Sequence, residues 1–163
     1  MKSSNVNEEC SVATGVVTEP MVAVIIEPKG PVFLLLCDLD HFKSLNDQFG
    51  HHVGDKIFCA VATILKQQCD HPAYIGHLGG EEFCLVIPNT TQAEVASILS
   101  RVRKAVEPTE YNSVQNVLVP LTLSIGAVTV RADDSRYTDL LDRASGQALI
   151  AKRIGRNQLC CAD

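Results

Sequence analysis

The sequence predicts an α+β fold in which helices pack on a mostly antiparallel sheet, and three observations predict it. Apolar, β-branched runs of strand length recur along the chain, as in "VFLLLCDLD" and "EFCLVIP". Between them lie segments whose apolar residues return at the period of an amphipathic helix. Two of the strand-like runs meet at Gly79-Gly80 with only a turn between them, which marks a hairpin. A length of 163 residues with 46 % hydrophobic content is ample for one packed core.

Taken in order, residues 1–20 are polar, rich in Ser, Asn, Glu and Thr, and without helical or strand period. They read as a disordered tail or linker remnant, with the domain itself over 21–163. "MVAVIIE" and "VFLLLCDLD", separated by "PKGP", read as two strands joined by a turn, the second buried on both faces. From Asp55 to Cys69, apolar residues at Ile57, Phe58, Val61, Ile64 and Leu65 form the stripe of a helix. "AYIGHL" and "EFCLVIP" follow as an antiparallel hairpin whose glycines supply positive φ. A second helix runs from about Thr91 to Val106, capped by Asn or Thr, with Val95, Ile98, Leu99, Val102 and Ala105 on one face. "VLVPLTLSIGAVTV" returns to strand with a bend at Pro120, Tyr137 to Lys152 makes a third helix, and "NQLCC" closes as a short strand. The order is a βαββαβ core with extra strand and hairpin additions, a ferredoxin-like sandwich.

A net charge of −5, with 14 Lys and Arg spread along the chain, argues against a footprint for long nucleic acid and leaves small anions as ligands of local basic sites. The seven cysteines are odd in number, lack CxxC spacing and sit mostly in apolar runs, so they read as buried thiols of a reducing cytoplasm. No apolar run reaches the roughly 20 residues that span a bilayer, so a soluble domain is expected.

The chemistry concentrates in "CDLDHFKSLND", where Asp38 and Asp40 stand two apart at the end of a buried strand and are expected to point to one side. A buried carboxylate is costly unless something offsets its charge. Mg²⁺ would do so, since it takes one or two carboxylates and completes its octahedron with water and phosphate. Capping of the following turn or helix is the other reading of Asp38. In a βαββ arrangement the hairpin tip lies beside the end of the first core strand, which brings Glu81 or Glu82 near Asp38. A carboxylate from each makes a divalent-metal site for phosphoryl chemistry.

"DLDHFKSLND", "GHHVGD", "GGEEF", "LSIG" and "AKRIGRN" occur in that order from about Val32 to Asn157, and together they resemble the GGDEF domain of bacterial diguanylate cyclases. The resemblance implies a fold like that of nucleotidyl cyclases and polymerase palms. It also implies condensation of two GTP molecules into cyclic di-GMP with release of pyrophosphate, each domain of a homodimer holding one GTP. Mg²⁺ or Mn²⁺ would be bound by Asp38, the Leu39 carbonyl and Glu81. Glu81 would also assist deprotonation of the attacking 3′-hydroxyl, and Glu82 would join a second metal. Asn46 and Asp55 would read the guanine edge, because a carboxylate suits its N1–H and amino donors. Phe42 would belong to the substrate site, and Lys43, Lys152 and Arg156 would hold the phosphates. For Lys152 and Arg156 the residues alone also allow a positive last helical turn that complements the helix dipole.

The chain departs from the usual family pattern at several places. The "LTGLxNRR" helix is missing, His77 stands where Arg usually precedes the glycine pair, and Ser145 and Leu149 replace Asp and Tyr. The product-inhibition motif RxxD would fall on Asp70 and Ala73 and is absent, while Arg101 matches an arginine of the partner side of that site, with a solvated helix surface as the other reading. These departures also suit a catalytically inactive module that binds GTP or cyclic di-GMP as a regulatory sensor. In either case a regulatory sensory domain is expected elsewhere in a longer protein.

Overall fold

The computed structural model describes residues 13–14, 19–69, 73–107 and 121–162 of the chain. Among them the elements run β1 (Ala13–Thr14), α1 (Glu19–Ile26), β2 (Val32–Leu39), α2 (Phe42–Phe49), α3 (His51–Gln68), β3 (Tyr74–Gly79), β4 (Glu82–Pro88), α4 (Gln92–Val106), β5 (Leu123–Thr129), α5 (Tyr137–Arg153) and β6 (Leu159–Ala162). The strands form one sheet in the order β1-β3-β4-β2-β5-β6. Its four middle strands are antiparallel neighbours, and β1 and β6 extend the two edges in parallel. The ferredoxin-like core expected from the order of elements is present.

Strand β2 lies at the middle, between β4 and β5, and all its residues are buried. A strand covered on both faces has no polar side to show, which is why it reads as an unbroken apolar run. Its side chains divide between two cores by the period of two. Phe33, Leu35, Cys37 and Leu39 join the cluster under α3 and α4, with Ile57, Val61, Leu65, Val95 and Leu99. Val32, Leu34 and Leu36 join a smaller cluster with Met21 and Ile25 of α1 and Leu140, Ala144 and Ala148 of α5.

Residues 19–26 are a helix and not the strand expected of "MVAVIIE". Its Val and Ile content favours strand, but Met21 and Ile25 stand one helical turn apart, and both are fully covered by the sheet face of β2 and β4. Tertiary burial outweighs a local preference worth a few tenths of a kcal/mol per residue. Ala13–Thr14, in a stretch read as lacking strand period, pairs in parallel with Gly76 and His77 of β3. The bend at Pro120 and the position of Asp70 lie outside the described residues.

The other helices follow their periodicity with small shifts at the ends. Helix α3 begins at His51, four residues before the expected start, because Gly50 at φ 87° separates it from α2 and sends its N–H back to the Asn46 carbonyl at 2.8 Å. Thr91 caps α4 with a reciprocal box: its hydroxyl accepts from the Glu94 N–H, and Glu94 accepts from the Thr91 N–H at 2.7 Å. Helix α5 lies almost against the backbone of β5. A Cβ on Gly126 would stand 2.0 Å from the Ala144 carbonyl oxygen and 2.4 Å from the Ala148 nitrogen. The glycine of "LSIG" thus sets the distance at which α5 packs.

Cys37, Cys69, Cys84, Cys160 and Cys161 are not disulfide-bonded. Cys59 is disulfide-bonded, which corrects the expectation of thiols throughout. It stands half-buried on α3 at the edge of the core. No helix among the described residues is long and apolar enough to cross a membrane.

Candidate active site

The end of β2 and the tip of the β3–β4 hairpin meet as expected. Asp38 is the cross-strand partner of Glu82, and the Leu39 N–H donates to the Glu81 carbonyl at 3.1 Å. Gly79 and Gly80 make the turn at φ 137° and 55°, which places Glu81 and Glu82 directly after it. Like charges opposite one another destabilise a sheet unless a cation joins them. Part of that demand is met by Lys152 from α5, whose Nζ donates to Asp38 Oδ2 at 2.6 Å.

Asp38 is 5 % exposed, and its other oxygen, Oδ1, is buried with no hydrogen-bond partner. Burial pushes its carboxyl up to about 6; the Lys152 ammonium opposes that rise, and the negative charges of Glu81 and Glu82 add to it. Among the described residues no three His, Cys, Asp or Glu side chains are gathered closely enough to hold a metal by themselves. A Mg²⁺ site made of one or two carboxylates and substrate phosphate needs no such cluster. The donor set fits a hard divalent cation, since Asp38 keeps one unpartnered carboxylate oxygen and lies within electrostatic reach of the Glu81 and Glu82 carboxylates.

Helices α2 and α3 bring together Asn46 and the Gly54-Asp55 pair. The Asn46 side-chain oxygen is buried without a partner, and a Cβ on Gly54 would fall 1.7 Å from it. Asp55, the next residue, is exposed, as is Lys43. An amide acceptor and a carboxylate at one helix junction can take the donor edge of a planar base. Phe42, expected at the substrate site, is 7 % exposed and packs in the core under α3, where it seats α2.

A sequence model of the family described as diguanylate cyclase, GGDEF domain, matches residues 20–158. The chain belongs to the GGDEF domain family. It is 33 % identical over 129 residues to diguanylate cyclase DosC of Escherichia coli strain K12, covering 79 % of this chain and 28 % of that protein. It spans about a third, or less, of the length of the curated relatives it matches. The GGDEF domain of DgcB from Caulobacter crescentus, solved with c-di-GMP, superposes with a TM-score of 0.74 at 29 % identity, covering 80 % of this chain and 77 % of that one. The active GGEEF domain of a diguanylate cyclase from Vibrio cholerae gives 0.75 at 29 % identity, covering 83 % and 85 %.

In this GGDEF domain the hairpin is further held by His77. Its Nε2 lies 3.2 Å from the Gly80 carbonyl oxygen, and its ring packs on Phe58 at 4.4 Å between centroids. Phe58 in turn stacks on Phe83 at 4.2 Å. The residue that replaces the usual arginine is therefore tied to the turn of the signature. Ser145 and Leu149 are exposed on α5. Arg101 is not solvated: it is half-buried, and its Nη2 donates to the Gln68 carbonyl at the end of α3, at 2.8 Å. Arg156 is exposed in the turn after α5, with φ 62°.

Two features were not drawn from the sequence. Lys152 meets the Asp38 carboxylate directly, a contact between residues 114 apart that no local pattern signals. Asp40 does not join Asp38 in an open acidic pair. It is 4 % exposed and accepts from the Thr122 and Ser124 hydroxyls, each at 2.7 Å, and from the Asn157 N–H at 3.1 Å. The alternating hydroxyls of "TLS", entering a strand that flanks β2, were the available signal.

Proposed function

We propose that this GGDEF domain is a diguanylate cyclase half-site that condenses GTP, paired with a second copy, into cyclic di-GMP with release of pyrophosphate. The observation that carries this reading is the junction of Asp38, Glu81 and Glu82, with one buried carboxylate oxygen left unpartnered. Asp38, the Leu39 carbonyl and Glu81 would hold Mg²⁺ or Mn²⁺. When bound, the cation neutralises the nucleotide phosphates and orients them. Lys152, in the last turn of α5, positions the Asp38 carboxylate and offers its remaining donors to phosphate. Asn46 and Asp55 take the guanine edge, and Lys43 and Arg156 hold the phosphate tail from the exposed rim. Glu81 stands at the hairpin tip, where it assists removal of the proton from the attacking 3′-hydroxyl of the second GTP. Residues 21–163 supply this unit, and regulation comes from a sensory domain in a longer protein.

The test is incubation of the domain at high concentration with GTP and Mg²⁺, with cyclic di-GMP measured by chromatography. Glu81→Gln is expected to lower the rate by a factor on the order of 10² or more while leaving the circular dichroism spectrum unchanged. An unchanged rate removes Glu81 from the reaction. GTP binding with no product in the wild-type domain assigns it to the sensor class.

A further inference from the structure

Asp40 is the one acid of "DLD" whose carboxylate is fully engaged inside the protein. Its Oδ1 accepts from Ser124, and its Oδ2 accepts from both Thr122 and the Asn157 main-chain N–H. Its own N–H donates to the Thr122 carbonyl at 2.9 Å, so the end of β2 is fastened to the start of β5 by main chain and side chain together. The Asn157 end of this network is unusual backbone. Gly155, Arg156 and Asn157 follow one another at φ 131°, 62° and 49°, in the turn that carries the chain from α5 to β6. Non-glycine residues persist there only when their surroundings hold them. Three contacts do so: the Arg156 N–H donates to the Ala151 carbonyl at 2.9 Å, the Asn157 N–H donates to Asp40, and the Asn157 side-chain oxygen accepts from Arg103 Nε of α4 at 3.0 Å.

We infer that Asp40 is a positioning residue for the phosphate end of the site: it clips the turn after α5 to the end of β2 and thereby fixes Arg156 relative to Asp38. The clip and the Lys152 bridge are two independent ties between the same pair of segments. Lys152 joins α5 to Asp38, and five residues later Asn157 joins the following turn to Asp40. Neither Asp40 nor Asn157 need touch nucleotide, since both act through the backbone on which Arg156 stands. Losing the clip frees Arg156 and leaves the base pocket of Asn46 and Asp55 intact, so the loss falls on the β- and γ-phosphates alone.

This inference rests on the nucleotide reading of the site, and its test separates the two. Calorimetry with Mg²⁺ gives the affinities for GTP and for GMP, and their ratio reports the outer phosphates. Asp40→Ala is expected to lower that ratio about tenfold, the size of one charge-assisted contact, with GMP affinity unchanged. Asp40→Asn keeps the acceptor for Asn157 and restores most of the ratio. Adding Arg156→Ala to Asp40→Ala lowers it no further. Should Asp40→Ala fail to fold, Arg103→Leu releases the same turn from its far side and shifts the ratio in the same direction. An unchanged ratio, or equal losses for GTP and GMP, overturns the positioning role. A wild-type domain that binds neither nucleotide overturns the reading of the site and the phosphate role with it. The clip itself is then decided by amide exchange at Asn157, whose protection must fall in Arg103→Leu and Asp40→Ala.

Discussion

At the scale of single residues, the Asp38 carboxyl shows how the site trades stability for readiness. Its pKa is raised by burial to about 6, from 3.8 in the unfolded chain. Between those values the folded protein binds more protons than the unfolded one, so this residue's contribution is fully present below about pH 4 and is lost as pH rises through 6. Thermal unfolding of the metal-free domain is therefore expected to show wild type losing stability relative to Asp38→Asn across that window, with a constant difference above it. A difference that does not vary with pH would mean that Lys152 already satisfies the carboxylate. Gly54 makes a second point. Because a Cβ there would overlap Asn46 Oδ1 and stand 3.3 Å from the Phe42 ring, Gly54→Ala is expected to displace the amide. GTP affinity should fall about tenfold, with ATP affinity unaffected, and overpacking should cost about 1–3 kcal/mol of stability. Equal effects on both nucleotides would remove Asn46 from base recognition.

At the scale of elements, what could be read from the sequence follows from how each element is stabilised. Helices α3, α4 and α5 bury one stripe each, and the hairpin carries its own glycine turn, so their signals are local and legible. Helix α1 is different: in "MVAVII" apolar residues fill every position, and only the sheet it rests on decides between helix and strand. Within the site, the Asp38–Glu82 pairing was legible because strand order places the hairpin tip beside β2. The roles of Lys152 and Asp40 were not, because their partners lie far along the chain, in helix α5, at the head of β5 and in the turn before β6. The burial of Phe42 in the core was not legible, because a motif position says nothing about which way a short helix turns its first residue. The seat of α5 on β5 is testable. Gly126→Ala forces backbone against backbone, so α5 must lift away from the sheet, and Lys152 must move with it. Destabilisation of about 1–3 kcal/mol or more is expected, read as a lower Tm, together with weaker GTP binding at temperatures where the variant is folded. A stable variant with unchanged binding would show that the helix position is not critical.

At the scale of the whole molecule, the domain brings Asp38, Glu81 and Glu82 together at the end of the central strand, with an apolar core on either side of the sheet. Every group assigned to the reaction belongs to one GTP. If the domain condenses GTP as proposed, the second nucleotide must be carried by a second copy, so the rate would depend on encounter between domains, and tethering would raise it through effective concentration. The measurement that tests this account most directly is the rate of cyclic di-GMP formation per domain, at saturating GTP and Mg²⁺, as domain concentration is raised. The expected rate climbs with concentration and is lost in Glu81→Gln. A wild-type domain that binds GTP yet forms no product at any concentration would contradict it.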